Sequence, residues 1–229
     1  MSLFARINVI LLALFTAVTG LGIGVGAEAR RPIRQRANSE MKIALTFDDG
    51  PSKKYTDEIL DILDEFGIKA TFFVIGKCCN EAPEQLKRAY ESGHEIGNHT
   101  YSHGHTLTLK DKEIRQEIRL TEETINGIIG CKPVIFRPPE GAYSSHIGEI
   151  CEKLGYRTVL WSVDTCEWRR PSAEEIAKAV MENTASGSII LCHDNVVGKS
   201  NTPEALRIFI PKLLRQGYEF VTVSELIAL

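Results

Sequence analysis

From residue 41 onward the chain alternates between two hydrophobic periods. Short runs rich in β-branched and aromatic residues lie at 42–47, 70–75, 95–98, 134–137, 158–163, 188–191 and 219–223. Each is followed by turn residues and, in most cases, by a stretch whose apolar side chains return every three or four positions. The first pattern predicts strands and the second amphipathic helices, here near 55–66, 83–92, 111–128, 145–154, 173–184 and 203–215. In the first helix Ile59, Leu60, Ile62, Leu63 and Phe66 share a face, and Gly67 ends it as glycine does just past a C-terminus. The same punctuation returns at Gly155 and Gly217. Strands alternating with helices imply an α/β protein with a parallel sheet and helices outside it. No G-x-G-x-x-G or Walker-type loop follows the first strand, which disfavours a nucleotide-binding open sheet. Residues capable of chemistry instead follow several different strands, as in a barrel whose site lies at its C-terminal rim. The expectation is a distorted (β/α)7-type barrel forming one domain over 41–229, with the active site at the C-terminal ends of the strands.

The front of the chain departs from this pattern. Residues 7–18 are almost wholly apolar, and up to Ala29 the only charged side chains are Arg6 and Glu28. Arg6 and the amino terminus form a positive n-region, and Ala27-Glu28-Ala29 satisfies the small-x-small rule, so 1–29 reads as a signal peptide. An uncleaved membrane anchor is the rival, because the apolar stretch to Val25 is about the ~20 residues that a bilayer needs. Arg30, Arg31, Arg34 and Arg36 follow at once, and such a cluster disfavours translocation, so both readings stay open. Either one places the body outside the cell or at its surface. Residues 30–40 then read as an Arg-rich connector, with membrane association through the N-terminal segment.

Charge narrows the range of partners. The whole chain carries 27 Lys and Arg against 30 Asp and Glu, but 41–229 holds 22 against 28, a balance of −6. An acidic body lacks the basic face that phosphate contacts require, so nucleic acid is excluded as a partner. The six cysteines, Cys78, Cys79, Cys131, Cys151, Cys166 and Cys192, show no C-x-x-C spacing and are too sparse for a disulfide scaffold. They read mainly as small buried side chains.

Candidate chemistry lies at five strand ends. Asp48 and Asp49 close the first strand before Gly50-Pro51; neighbours on a strand face opposite ways, so both can serve one site only if the chain turns there. His99 and His103 follow the third strand at a spacing of four, which on a helical turn would place both imidazoles on one side. With Asp49 they would make an Asp-His-His site suited to zinc, with Co2+, Ni2+, Mn2+ or Fe2+ as alternatives. Arg137-Pro138-Pro139-Glu140-Gly141 follows the fourth strand; Arg137 can hold a carboxylate bidentately, and Glu140 and Gly141 offer backbone amides. Trp161, Asp164, Glu167 and Trp168 follow the fifth, combining acids with aromatic surface, and Leu191 and His193 end the sixth on one side of the strand. Each motif alone also has a plain structural reading. His94, His105 and His146 read as surface or satisfied residues.

The order and content of these motifs resemble the polysaccharide deacetylase family, the NodB-homology group of family-four carbohydrate esterases, over essentially residues 42–223. The TFDDG segment and the H-[ST]-x-x-H pair are its specific elements. The resemblance implies metal-dependent removal of acetyl groups from a polysaccharide. Asp48 would be the general base, Asp49, His99 and His103 the metal ligands, and Arg137 the residue orienting Asp48. The Glu140 N–H would help bind the oxyanion, Trp168 would shape the pocket, Leu191 would line the acetyl-methyl site, and His193 would be the general acid. Two departures stand out. Glu140 occupies a position that is aromatic in many relatives. The acid tuning His193, usually Asp, is here Glu167, so either Glu167 adapts or Asp164 takes part. The expected substrate is a cell-wall glycan with N-acetylglucosamine or N-acetylmuramic acid, met by a monomer. Chitooligosaccharide and acetylxylan deacetylation, or an inactive carbohydrate-binding domain of the same fold, are the alternatives.

Overall fold

The computed structural model describes residues 31–37 and 40–228. The export or anchor segment, residues 1–29, lies outside the described residues. Among those described, no helix is long and apolar enough to cross a membrane.

Among the described residues eight strands form one sheet: β1 (Lys42–Asp48), β2 (Thr71–Val74), β3 (Glu95–Asn98), β4 (Ile135–Phe136), β5 (Arg157–Thr158), β6 (Val163–Asp164), β7 (Ile189–His193) and β8 (Glu219–Val221). Every pairing between them is parallel, in the order β5-β4-β3-β2-β1-β7-β6. β8 pairs with the first half of β1, Lys42 opposite Glu219, while β2 takes the second half, Thr46 opposite Thr71. Strands β5 and β6 stand at opposite ends of this order, yet only residues 159–162 separate them. The sheet must therefore curl until its ends approach, which makes it a distorted α/β barrel.

The helices are α1 (Tyr55–Phe66), α2 (Gly76–Glu81), α3 (Pro83–Glu91), α4 (Asp111–Ile129), α5 (Ser145–Lys153), α6 (Ala173–Asn183), α7 (Thr202–Arg215) and α8 (Val223–Ile227). β1 shows how the barrel divides its side chains. Ile43, Leu45 and Phe47 pack with Ile59, Leu63, Leu206, Phe209 and other helical residues in the larger core. Ala44, on the opposite face, packs with Phe73, Ile135, Val159 and Ile189 in a second cluster. The two-residue period of a strand places Thr46 and Asp48 on the side of Ala44, so β1 delivers Asp48 to the inner face at its C-terminal end.

Three sequence expectations change. The single strand at 158–163 is two short strands, because Val159 and Leu160 turn to the 33–36 segment: Ile33 N–H donates to Thr158 O at 2.9 Å and Leu160 N–H to Ile33 O at 2.7 Å. The segment read as a connector is therefore bonded to the barrel over its described residues. Arg36 N–H reaches Gly187 O at 2.8 Å, and a side chain at Gly187 would meet Arg36 O at 2.1 Å. Helices α2 and α8 are additions; the latter starts at Thr222, whose hydroxyl and Glu225 form a reciprocal cap. All six cysteines are free thiols, with Cys79, Cys151 and Cys192 buried.

Candidate active site

At the C-terminal rim the strand ends surround a cavity of about 610 Å3 whose lining includes Asp48, Asp49, His99, His103, Glu140, Trp161, Asp164, Glu167, Trp168, Leu191 and His193. Register accounts for part of this meeting: Asp48 lies opposite His193 on β7, and Asn98, just before His99, lies opposite Phe136, just before Arg137.

Asp48 is buried and ion-paired with Arg137, Nη1 to Oδ1 at 2.7 Å. Arg137 is 0% exposed and does not form the expected bidentate pair. Nη1 also donates to Thr46 Oγ1 at 2.8 Å, Nη2 to Leu160 O at 3.1 Å and Nε to Val159 O at 3.4 Å. Its guanidinium carbon lies 4.0 Å from the Phe73 ring centroid. One side of the guanidinium thus holds Asp48 while the rest ties this carboxylate to the barrel wall. Burial lowers the Arg137 pKa and the Asp48 carboxylate opposes that shift.

The next residue, Asp49, has φ 77°, which breaks strand alternation and swings its carboxyl to the same side. Asp49 Oδ1 lies 3.4 Å from His99 Nε2 and 3.2 Å from His103 Nε2, and ligand atoms of these three residues lie within 4.8 Å of one another. The histidines are not on a helical turn. Thr100 and His103 have φ of 67° and 59°, and the loop is anchored by Glu117 of α4, which accepts from the Tyr101 and Ser102 amides at 2.9 and 2.7 Å. His99 Nδ1 lies 2.7 Å from the Arg137 carbonyl. As a carbonyl only accepts, Nδ1 carries the proton and Nε2 faces Asp49 with a lone pair. Asp49 Oδ1 is buried without a hydrogen-bond partner among the described residues. Burial would push the Asp49 carboxyl up, but when the His103 and His99 imidazoles take up a proton, their N–H groups and charge hold it well below the usual carboxylate range. One unsatisfied carboxylate oxygen facing two imidazole nitrogens is a donor set that fits a divalent cation.

Across the cavity, His193 Nδ1 meets Glu167 Oε2 at 2.5 Å, and the Thr202 hydroxyl donates to Glu167 Oε1. Burial disfavours the charged imidazole, but Glu167 and the more distant Asp48 and Asp49 outweigh it and raise the His193 pKa to about 9. Asp164 turns elsewhere: Oδ2 accepts from Trp161 Nε1 at 3.1 Å and Oδ1 from the Cys166 amide at 2.8 Å. Trp168, 73% exposed, stands at the rim with the Arg169 guanidinium 4.6 Å from its ring centroid.

Glu140 has φ 57°, and its exposed carboxylate lies 3.8 Å from His105 Nε2. The Gly141 amide, expected as a second donor, is instead committed to Pro138 O at 3.0 Å. Gly141 makes room for an aromatic: a side chain there would come within 2.9 Å of the Trp161 ring. Sequence reasoning also missed Glu117, Thr202 and Asn195, which act through long-range contacts that no local pattern announces. It gave no role to Asp194, whose buried carboxyl burial pushes up to about 7.

This arrangement defines a class: α/β barrels with an acid–imidazole cluster able to hold a metal ion at the C-terminal rim. Comparison with known proteins carries this to the family level. The polysaccharide deacetylase family model matches residues 35–159. A peptidoglycan-N-acetylglucosamine deacetylase of Bacillus cereus is 40% identical over 192 residues, covering 83% of this chain and 90% of that protein. The crystal structure of a peptidoglycan N-acetylglucosamine deacetylase in complex with 4-naphthalen-1-yl-N-oxidanyl-benzamide superposes with a TM-score of 0.84, at 36% identity over 88% of this chain and 95% of that one. A CE4 family pseudoenzyme from Bacillus anthracis gives a TM-score of 0.80, at 32% identity over 86% of this chain and 69% of its own. The chain belongs to the polysaccharide deacetylase family.

Proposed function

We propose that this protein removes N-acetyl groups from cell-wall peptidoglycan, with N-acetylglucosamine as the first candidate sugar and N-acetylmuramic acid as the second. The likeness to a pseudoenzyme makes the fold alone an insufficient warrant, so activity rests on side chains. The observation that carries the reading is one cavity that joins the Asp49-His99-His103 cluster to the Asp48–Arg137 and His193–Glu167 pairs.

Asp49, His99 and His103 would hold the cation, and two nitrogens with one carboxylate oxygen suit zinc, with Co2+, Ni2+, Mn2+ and Fe2+ as the other candidates. A cation held there supplies Lewis-acid polarisation and makes water more acidic. Asp48, oriented by Arg137, takes the proton from the attacking water. The Glu140 amide would donate to the developing oxyanion; losing one such donor typically costs about 10² to 10³ in rate. His193, kept protonated by Glu167, delivers a proton from Nε2 to the leaving sugar nitrogen, which otherwise departs as a very poor leaving group. Trp168 offers its face to a neighbouring sugar ring, and Leu191 lines the acetyl pocket.

A wall substrate agrees with the apolar N-terminal segment acting as an export signal or anchor. The test is acetate release from purified peptidoglycan, from muropeptides differing in which sugar is acetylated, and from chitin oligomers. Release from N-acetylglucosamine of the wall glycan supports the reading; release only from chitin oligomers or acetylxylan moves the substrate, and no release from any of them rejects it.

A further inference from the structure

The side chain of Asp194 is buried directly behind the Asp48-Asp49 turn, and the chemistry above gives it no task. It is 1% exposed; the Thr56 hydroxyl donates to Oδ2 at 2.6 Å, and Oδ1 has no hydrogen-bond partner among the described residues. Leaving a buried polar atom unsatisfied costs about 1–3 kcal/mol.

Its neighbours point to a task for the carboxyl. A methyl group at Gly50 would lie 2.1, 2.3 and 2.4 Å from Asp194 Oδ2, Oδ1 and Cγ. Gly50 is not among the residues with positive φ, so no left-handed backbone demands glycine there, and the three atoms nearest an added methyl all belong to the Asp194 carboxyl. The surrounding bonds converge on the same turn. Asp194 N–H donates to Asp48 O at 3.2 Å, Asn195 Nδ2 to Asp49 O at 3.1 Å, Ser52 Oγ to Asp194 O at 2.6 Å, and Ser52 N–H to Thr56 Oγ1 at 2.7 Å. The turn 48–52 is thus held at its start, middle and end by the segment 194–195 and by Thr56.

We infer that Asp194 is a positioning residue: its carboxyl is the buttress on which Gly50 rests, and it sets the turn that aims Asp48 and Asp49 into the cavity. The glycine of the TFDDG segment is then demanded by Asp194, 144 positions away, rather than by the turn's own backbone. This inference rests on the assignment of Asp48 as base and Asp49 as ligand, so its test reads metal affinity as well as turnover.

Four variants of the full chain decide it: Gly50→Ala, Asp194→Ala, Asp194→Asn and the double variant Gly50→Ala/Asp194→Ala. For each, Zn2+ affinity by calorimetry, kcat and KM per metal-loaded enzyme, and Tm are measured. A misplacement of about 1 Å can cost about 10² in rate, so Gly50→Ala should lose about 10²-fold in kcat together with much of its Zn2+ affinity. Asp194→Ala should lose kcat and Zn2+ affinity with KM unchanged, and Asp194→Asn, which keeps shape and can still accept from Thr56, should recover most of that loss. The double variant should exceed Gly50→Ala by about tenfold in both, because the new methyl occupies the vacated space. Wild-type kcat and Zn2+ affinity in Gly50→Ala, or a double variant no better than Gly50→Ala, would overturn the inference. So would a fall in Tm alone with both parameters preserved. If wild type binds Zn2+ but deacetylates nothing while the affinity order holds, the buttress stands and the deacetylase reading falls.

Discussion

Replacing Glu167 with Gln perturbs the proposed proton donor, His193, at one point. Glu167 Oε2 lies 2.5 Å from His193 Nδ1, and the His193 pKa stands at about 9. A general acid works in its protonated form, so wild type should keep activity up to about pH 9 and lose it as pH rises through that value. Gln retains the shape and can still accept from Thr202, but it removes the charge that favours imidazolium. Burial, which opposes the charge, then acts with less resistance, and the pKa should return to about 6.5 or lower, a change of roughly 3 kcal/mol. At pH 7.5 the protonated fraction falls from nearly all to about a tenth, so kcat/KM should fall about tenfold there and recover toward pH 6. The assay is the pH profile of acetate release from wall glycan between pH 5.5 and 10, with metal content held constant. A Glu167→Gln profile whose alkaline limb coincides with that of wild type would refute the role of this pair.

Other expectations follow from the same geometry. Asp48→Asn should keep metal content by elemental analysis while turnover drops by 10² or more, within the range of about 10² to 10⁴ ascribed to general base catalysis. His103→Ala should lose bound metal in proportion to activity, and chelation of the wild type followed by Zn2+ addition should abolish and restore acetate release. Gly187→Ala should destabilise the fold by roughly 1–3 kcal/mol, because Gly187 has φ 84° and its Cα faces Arg36 O; thermal denaturation checks this. An unchanged Tm would show that the 33–36 segment does not help close the barrel.

The strands were legible where alternation or an apolar run was long enough, as in β1, and Gly67 marked its helix end by the residue type itself. The break between β5 and β6 was not, because Val159 and Leu160 are apolar as a strand residue should be and only their pairing with Ile33 diverts them. Helix α8 did carry a signal, Thr222 followed three residues later by Glu225, but the apolar run 219–223 masked it. For the site, residue type and spacing brought Asp49, His99 and His103 to attention, whereas the geometry uniting them is a loop with two left-handed residues. Spacing alone could not distinguish that loop from a helical turn. It also could not choose between Glu167 and Asp164; the Thr202 hydroxyl and the Cys166 amide, each bound to one of these acids, separate them in space.

The proposed reaction combines, in one cavity, a metal-holding cluster with an Asp base and a His acid to hydrolyse an N-acetyl group. Its most direct measurement is the stoichiometry of acetate to new free amine on purified peptidoglycan, with the protein first stripped of metal and then reloaded with Zn2+. No product is expected from the stripped protein, and one acetate per amine from the reloaded wild type but not from reloaded Asp48→Asn. Equal release from stripped and reloaded protein, or from the Asp48→Asn variant at the wild-type rate, would contradict the proposed reaction.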